Sequence, residues 1–290
     1  MNEMKEPKLK IALQKQGRLA DGSTALLKKC GIGFANGLGK LRAESEDFPI
    51  EIYFLRDDDI PEYVADGVAD IGIIGENVLA ENPKPVEMIE KLGFGRCRLS
   101  IAVPKNLDYR ELADLSGRRI ATSYPNILAR FFAERFVEAD IHEISGSVEI
   151  APSIGLADAV CDLVSSGSTL FSNGLAEVET VMRSEAVLVA NQNLTQPCRE
   201  ILDRLLFRIR SVLAAQANKY ILLNAPSDKV ADIARILPGM KSPTTMPLAE
   251  PGWVSIHSVI NETDFWEMVD NLKRAGAEGI LVLSIDQMIR

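Results

Sequence analysis

The chain has 290 residues, 47% apolar and 25% charged, which suits a folded globular protein of more than one domain. No apolar run approaches the roughly 20 residues that span a bilayer, and the polar start from Met1 to Lys10 lacks the apolar stretch of a secretion signal. Those two features make a cytoplasmic protein with no membrane partner the expectation, and the excess of acidic over basic residues, 41 to 32, argues against nucleic acid as a partner. Cys30, Cys97, Cys161 and Cys198 are widely spaced, form no C-x-x-C pair and read as buried free thiols. Two histidines, His142 and His257, are too few for a multi-histidine metal site.

Short apolar runs alternate with helical patterns, which predicts an α/β architecture. Leu9 to Gln14 reads as a buried strand, followed by a helix capped at Asp21 that ends near Cys30 with Gly31 behind it. Ile50 to Leu55 is a second strand. Ile60 to Asp66 fits a short helix with Pro61 in its first turn. Asp70 to Gly75 is an apolar strand running into a glycine turn. Cys97 to Val103 and Arg119 to Ala121 read as strands, and Asn126 to Phe136 as a helix.

Gly155 to Leu170 (GLADAVCDLVSSGSTL) then repeats the device of Gly67 to Leu79 (GVADIGIIGENVL): Gly-x-Ala-Asp, an apolar strand, a glycine turn and a helix start. Two such units predict two similar lobes around a cleft, with the ligand outside the carboxyl ends of the strands. A helix from about Pro197 to Ala217 carries Ile201, Leu205, Ile209 and Val212 on one face. The remainder reads strand Lys219 to Leu223, helix Ser227 to Leu237 stopped by Pro238-Gly239, strands Thr244 to Leu248 and Val254 to Ile260, helix Thr263 to Ala275, and strand Gly279 to Ile285. That order, β-α-β-β-α-β, is the split ferredoxin-like unit.

The strongest chemical signal is Asp162 to Leu170, DLVSSGSTL. An apolar strand ends in Ser165-Ser166-Gly167-Ser168-Thr169 just before a helix start, where backbone N–H groups and hydroxyls suit a phosphate. An ordinary capped turn has the same composition. Asp162 sharpens the reading, because a carboxylate inside an apolar strand needs a partner, and ribose hydroxyls would supply one. Glu149 stands in another extended apolar segment, GSVEIAP; pairing with a backbone N–H or a lysine is the alternative for both.

GSVEIAPSIGLADAVCDLVSSGSTL closely resembles the phosphoribosyl-pyrophosphate signature of the ATP phosphoribosyltransferase family, long form. Ile11 to Leu19 (IALQKQGRL), Arg56 to Pro61 (RDDDIP), Asp70 to Asn77 (DIGIIGEN), Arg119 to Pro125 (RIATSYP) and Lys241 to Leu248 (KSPTTMPL) agree with it, from about Leu9 to the end. Many members read Thr-Gly-Ala-Thr where this chain has Ser166 to Thr169, a departure that keeps the glycine and the last hydroxyl.

The resemblance implies transfer of phosphoribosyl from phosphoribosyl pyrophosphate to N1 of ATP, with Mg²⁺ on the pyrophosphate, as the first step of histidine biosynthesis. It implies a catalytic region of two lobes like type II periplasmic binding proteins, and a C-terminal ACT-type ferredoxin-like domain that binds inhibitory L-histidine. The division expected is 1–95 for lobe I, completed by about 184–217, 96–183 for lobe II, and 218–290 for the regulatory domain. A homo-oligomer, dimer and hexamer, is implied.

On this reading Glu149 and Asp162 are catalytic. Gln14, Lys15, Arg18, Asp70, Tyr124 and Ser165 to Thr169 bind substrates. Ser242, Thr244 and Gly279 line the histidine pocket. Lys15 and Arg18 could equally lie in a solvated loop, Asp70 at a plain turn, and Tyr124 packed in one. Asp57 to Asp59 fit a helix start favoured by its dipole. Two lobes around a cleft also leave open a solute-binding module or a catalytically silent regulator; the lack of a secretion signal and the Asp162 to Thr169 constellation favour the enzyme.

Overall fold

Strands form where short apolar runs are bounded by turn residues, and here they gather into three sheets. The computed structural model describes residues 7–35, 41–237 and 239–289; Met1 to Glu6 and Pro238 lie outside them. The chain divides into two compact units, 1–202 and 203–290, with the division inside one long helix.

In chain order the first unit begins with β1 (Leu9–Gln14), α1 (Arg18–Lys29), β2 (Arg42–Glu44), β3 (Ile50–Leu55), α2 (Ile60–Ala65), β4 (Ile71–Gly75), α3 (Glu76–Glu81) and β5 (Val86–Lys91). It continues with β6 (Cys97–Pro104), β7 (Arg119–Thr122), α4 (Pro125–Ala133), β8 (Asp140–Glu143), β9 (Ala159–Val164), α5 (Ser168–Ser172), β10 (Leu175–Ser184) and β11 (Ala186–Asn191). Then come α6 (Gln196–Gln216), β12 (Asn218–Pro226), α7 (Val230–Ile236), β13 (Thr244–Pro247), β14 (Trp253–Asn261), α8 (Phe265–Arg274) and β15 (Glu278–Ser284).

The first sheet has the order β2-β3-β1-β4-β11-β5 and the second β10-β6-β9-β7-β8. β1 runs parallel to β3 and β4, and β7 runs parallel to β8 and β9. The carboxyl edges are therefore Gln14, Leu55 and Gly75 in one sheet, and Thr122, Glu143 and Val164 in the other. β11 returns from the second sheet and inserts antiparallel between β4 and β5, with all six residues buried.

Each sheet packs helices against an apolar face. α2 lays Ile60 and Val64 on Ala12, Ile74, Val187 and Val189. It approaches so closely that a Cβ on Gly72 would stand 2.6 Å from Ile60 Cγ2. α4 presents Ile127, Leu128, Phe131 and Phe132 to Leu99, Ile101, Ile120 and Cys161. Each of these large buried side chains contributes about 1.5–3 kcal/mol.

In the second unit α7 and α8 cover one face of an antiparallel sheet of order β13-β14-β12-β15, over a core that includes Ile221, Leu223, Ile233, Leu237, Ile256 and Leu272. No helix among the described residues is long and apolar enough to cross a membrane.

Three sequence expectations are corrected here. α1 starts at Arg18 behind Gly17, not at Asp21, which is its fourth residue. Glu149 belongs to a single 3₁₀ turn, Val148–Ile150, entered through Ser147 at φ 50°, not to an extended segment. All four cysteines are thiols rather than disulfides, but Cys97 and Cys198 are only half-buried.

Candidate functional site

Parallel strands deliver their following loops to one edge, and both lobes do so here. β9 ends at Val164, and the chain turns through Ser165 and Ser166 into Gly167, whose φ of 81° is left-handed and strained for any side chain. Gly167 caps α5, and the Ser166 and Ser168 hydroxyls lie 3.0 Å apart. Ser165 to Leu170 line a recess of about 160 Å³ together with Asp162, Leu163, Val164, Glu149 and Arg18. That is well below the roughly 300–1,000 Å³ of a site for a drug-sized ligand, and suits a ribose phosphate rather than a whole nucleotide.

Two carboxylates form one wall. Asp162 points from mid-strand, with Oδ1 accepting the Leu163 N–H at 2.8 Å. Burial raises its pKa and the Glu149 charge adds to that, while the Leu163 amide opposes both. Arg18 reaches across from the first lobe, its Nη1 donating to Ser165 Oγ at 2.8 Å. The structure thus brings together Glu149, Asp162, Arg18 and Ser165 to Thr169.

Gln14 and Lys15 stand at the carboxyl edge of β1, half-exposed and exposed, outside the residues that line the recess. The Lys15 N–H is tied to the Leu55 carbonyl at 2.8 Å. Tyr124 precedes α4 with its ring packed on the second lobe's core and its hydroxyl accepting from Asn77 Nδ2 at 3.3 Å. Burial raises its pKa, with the charges of Asp162, Asp58 and Asp57 adding to the shift and the Asn77 hydrogen bond opposing it.

Asp70 is not at this edge, which corrects its assignment as a substrate residue. It precedes β4 at the amino edge, where its Oδ2 accepts the Lys10 N–H at 2.7 Å and its own N–H donates to the Lys10 carbonyl at 2.9 Å. The internal repeat explains why. Its counterpart Asp158 does the same for Arg119, with Oδ2 at 2.9 Å from the Arg119 nitrogen and its N–H on the Arg119 carbonyl. Both aspartates satisfy an amide in the first two residues of a neighbouring parallel strand.

Sequence reasoning passes over several residues at the site. Asn77 and Glu81 are buried and link the lobes: Glu81 Oε1 and Oε2 accept from Asn126 N at 2.7 Å and Ile127 N at 2.9 Å. Asp57, read as a helix start, has an Oδ1 that is buried with no hydrogen-bond partner among the described residues, and burial beside Asp58 pushes its pKa up to about 6. Arg98 in CRLSIAV donates to the Ser165 carbonyl at 3.3 Å. A charge within an apolar strand, the signal that singles out Asp162, is present at Arg98 too.

In the second unit Thr244 opens β13, paired with His257, and Ser242 lies in the exposed loop before it. Gly279 lies in β15 at φ 55°. β13 and β15 are opposite edges of the sheet with two strands between them, about 14 Å at ordinary strand spacing. The structure therefore does not bring Thr244 and Gly279 together within one chain.

Comparison with known proteins matches residues 56–211 to the family model described as ATP phosphoribosyltransferase, and residues 215–287 to HisG, C-terminal domain. The ATP phosphoribosyltransferase of Cytophaga hutchinsonii is 57% identical over 97% of this chain and 99% of its own length. That of Bacteroides fragilis is 54% identical with the same coverage. A chain of the ATP phosphoribosyl transferase (HisG:HisZ) complex from Thermotoga maritima superposes with a TM-score of 0.61 at 30% identity, over 71% of this chain and 98% of that one. A histidine kinase sensor domain with similarity to periplasmic binding proteins shares the fold, at a TM-score of 0.50 and 12% identity over 73% of this chain and 92% of that one.

Proposed function

The chain belongs to the ATP phosphoribosyltransferase family, whose reaction opens histidine biosynthesis, and we propose how its residues divide that work. Ser165 to Thr169 hold the 5′-phosphate of phosphoribosyl pyrophosphate through backbone N–H groups and hydroxyls. Asp162 and Glu149 hold the ribose. The observation that carries this reading is the single recess into which both carboxylates, the Gly167 turn and Arg18 converge.

Adenine N1 displaces pyrophosphate from C1 of the ribose, which becomes cation-like as the bond to the leaving oxygen lengthens. Adenine N1 is a neutral nucleophile, so attack asks for alignment and charge compensation more than for a strong base. Two carboxylates beside the ribose supply the compensation. Arg18 and Lys15 steady anionic oxygens, and Tyr124 stands beside the cleft to meet the adenine. Gln14 completes the carboxyl edge of the first lobe.

Mg²⁺ fits the same reading. Asp162 and Glu149 are hard oxygen donors in the same recess, and Mg²⁺ commonly takes one or two carboxylates and completes its shell with water and substrate phosphates. When bound it would offset charge on the departing pyrophosphate.

The proposed division is lobe I (1–95, completed by about 184–217), lobe II (96–183) and a C-terminal domain (218–290), a reading that the membership of the three sheets supports. The strand order of the last supports a ferredoxin-like, ACT-type domain. L-histidine is its proposed inhibitor, and the chain a cytoplasmic homo-oligomer. One histidine touching both Thr244 and Gly279 would sit between two copies of the chain. Release of pyrophosphate from phosphoribosyl pyrophosphate and ATP with Mg²⁺, measured with and without histidine, tests the whole. No release overturns the enzymatic reading, and release insensitive to histidine overturns the regulatory one.

A further inference from the structure

The turn at Ser165 is held from two sides. Arg18 of the first lobe grips its hydroxyl, and Arg98 of the second grips its carbonyl. The register explains the second contact: Arg98 on β6 is the cross-strand partner of Val164, the last residue of β9. Arg98 is itself fixed. Its Nε and Nη2 both donate to the Glu177 carboxylate on β10, and this pairing, first among the causes, holds Glu177 below the usual carboxylate range. The pair is about three-quarters buried, with side-chain exposures of 28% and 26%. A two-pronged guanidinium–carboxylate contact fixes orientation as well as distance.

We propose that the Arg98–Glu177 pair is a positioning device for the phosphate-binding turn, setting the plane of the Ser165–Ser166 peptide. In a trans peptide the C=O and the following N–H point to opposite sides. With the Ser165 carbonyl drawn to Arg98, which stands outside the residues lining the recess, the Ser166 N–H is directed to the other side, towards the 5′-phosphate. Arg98 touches no substrate in this account; it acts through the turn. The inference rests on the reading of Ser165 to Thr169 as the phosphate loop.

The test measures KM for phosphoribosyl pyrophosphate and for ATP separately, with kcat and thermal midpoint, in wild type, Arg98→Gln, Arg98→Lys and Glu177→Gln. In Arg98→Gln the KM for phosphoribosyl pyrophosphate should rise about tenfold or more, while that for ATP stays within about twofold. Arg98→Lys keeps the charge but loses the two-pronged grip, and should fall between. Glu177→Gln should raise the same KM by less. A wild-type KM for phosphoribosyl pyrophosphate in these variants, or equal changes in both KM values with a lowered midpoint, overturns the proposal. If Arg98→Gln does not fold, the lysine and Glu177 variants carry the same comparison. Gly167→Val separates the two levels: normal binding there removes the loop itself, whereas a defect there beside normal Arg98 variants removes only the positioning role.

Discussion

Asn77 donates its side-chain amide to the Tyr124 hydroxyl at 3.3 Å, so a buried residue of the first lobe fixes the aromatic that precedes α4 in the second. Glu81, at the end of the same short helix, completes the junction by accepting the first free amides of α4. Glu81→Ala removes a charged acceptor and leaves the Asn126 and Ile127 N–H groups, the second of them on a buried residue, without it. The expected loss is on the order of 1.5–3 kcal/mol, read as a lower urea midpoint at unchanged slope. An unchanged midpoint would show that the junction adds nothing to stability.

Gly167→Val should weaken binding of phosphoribosyl pyrophosphate at least about tenfold, with the fold retained. Space around this glycine is open, since among the described residues an added Cβ would meet only Val164 Cγ1 at 3.9 Å. The effect therefore comes from forcing a branched residue to φ 81°, at about 1–3 kcal/mol, and from filling the mouth of the recess. Calorimetric titration gives the affinity.

Asp162→Asn and Glu149→Gln keep shape and remove charge. If the carboxylates compensate a cationic ribose, kcat falls by the equivalent of about 2–4 kcal/mol while KM changes little. Steady-state kinetics with both substrates decides it, and wild-type turnover in both variants would make these residues structural.

Asp57 gives a prediction in pH. Its carboxyl titrates at about 6 in the folded chain against an ordinary 3.8, so the folded state holds the proton more tightly and ionisation works against folding. The penalty is absent below pH 3.8, grows between 3.8 and 6, and is complete above 6, where it reaches on the order of 2–3 kcal/mol. Asp57→Asn should raise the thermal midpoint at pH 7, with the gain fading as the pH falls towards 4. A gain independent of pH would rule out the buried charge as its cause.

Histidine binding can be followed through the two tryptophans, both in the second unit. Trp266 is 76% exposed, whereas Trp253 is half-buried at the start of β14, so a saturable fluorescence change should come from Trp253. Thr244→Ala should weaken histidine inhibition and leave uninhibited turnover near wild type. Equal inhibition of this variant would remove Thr244 from the pocket.

The alternation of apolar runs with helical patterns made three of the first sheet's six strands, β1, β3 and β4, and all four of the C-terminal sheet legible, because their hydrophobicity is local. Patterning alone did not place β11 in the first sheet: AVLVAN shows a buried strand, but its partners β4 and β5 are fixed by the path of the chain, and only the family resemblance assigned this segment to the first lobe. The turn from Ser165 to Thr169, the proposed phosphate loop, stood out because Asp162 breaks an apolar strand. Asp70 misled for a related reason. The repeat that made it conspicuous pairs it with Asp158, and both serve the backbone. Asn77 and Glu81 carry no sequence signal, since their partners lie 47 and 45 residues away in the other lobe.

β11 also sets an order of events during synthesis. The second lobe's strands are contiguous, from Cys97 to Ser184, so that sheet has all its members as soon as β10 leaves the ribosome. The first lobe begins earlier and finishes later. Until Ala186 to Asn191 emerge, β4 exposes one edge and β5 has no neighbour. A chain stalled between β10 and β11 would carry a finished lobe and an unfinished one, with an open apolar strand edge of the kind that chaperones cover.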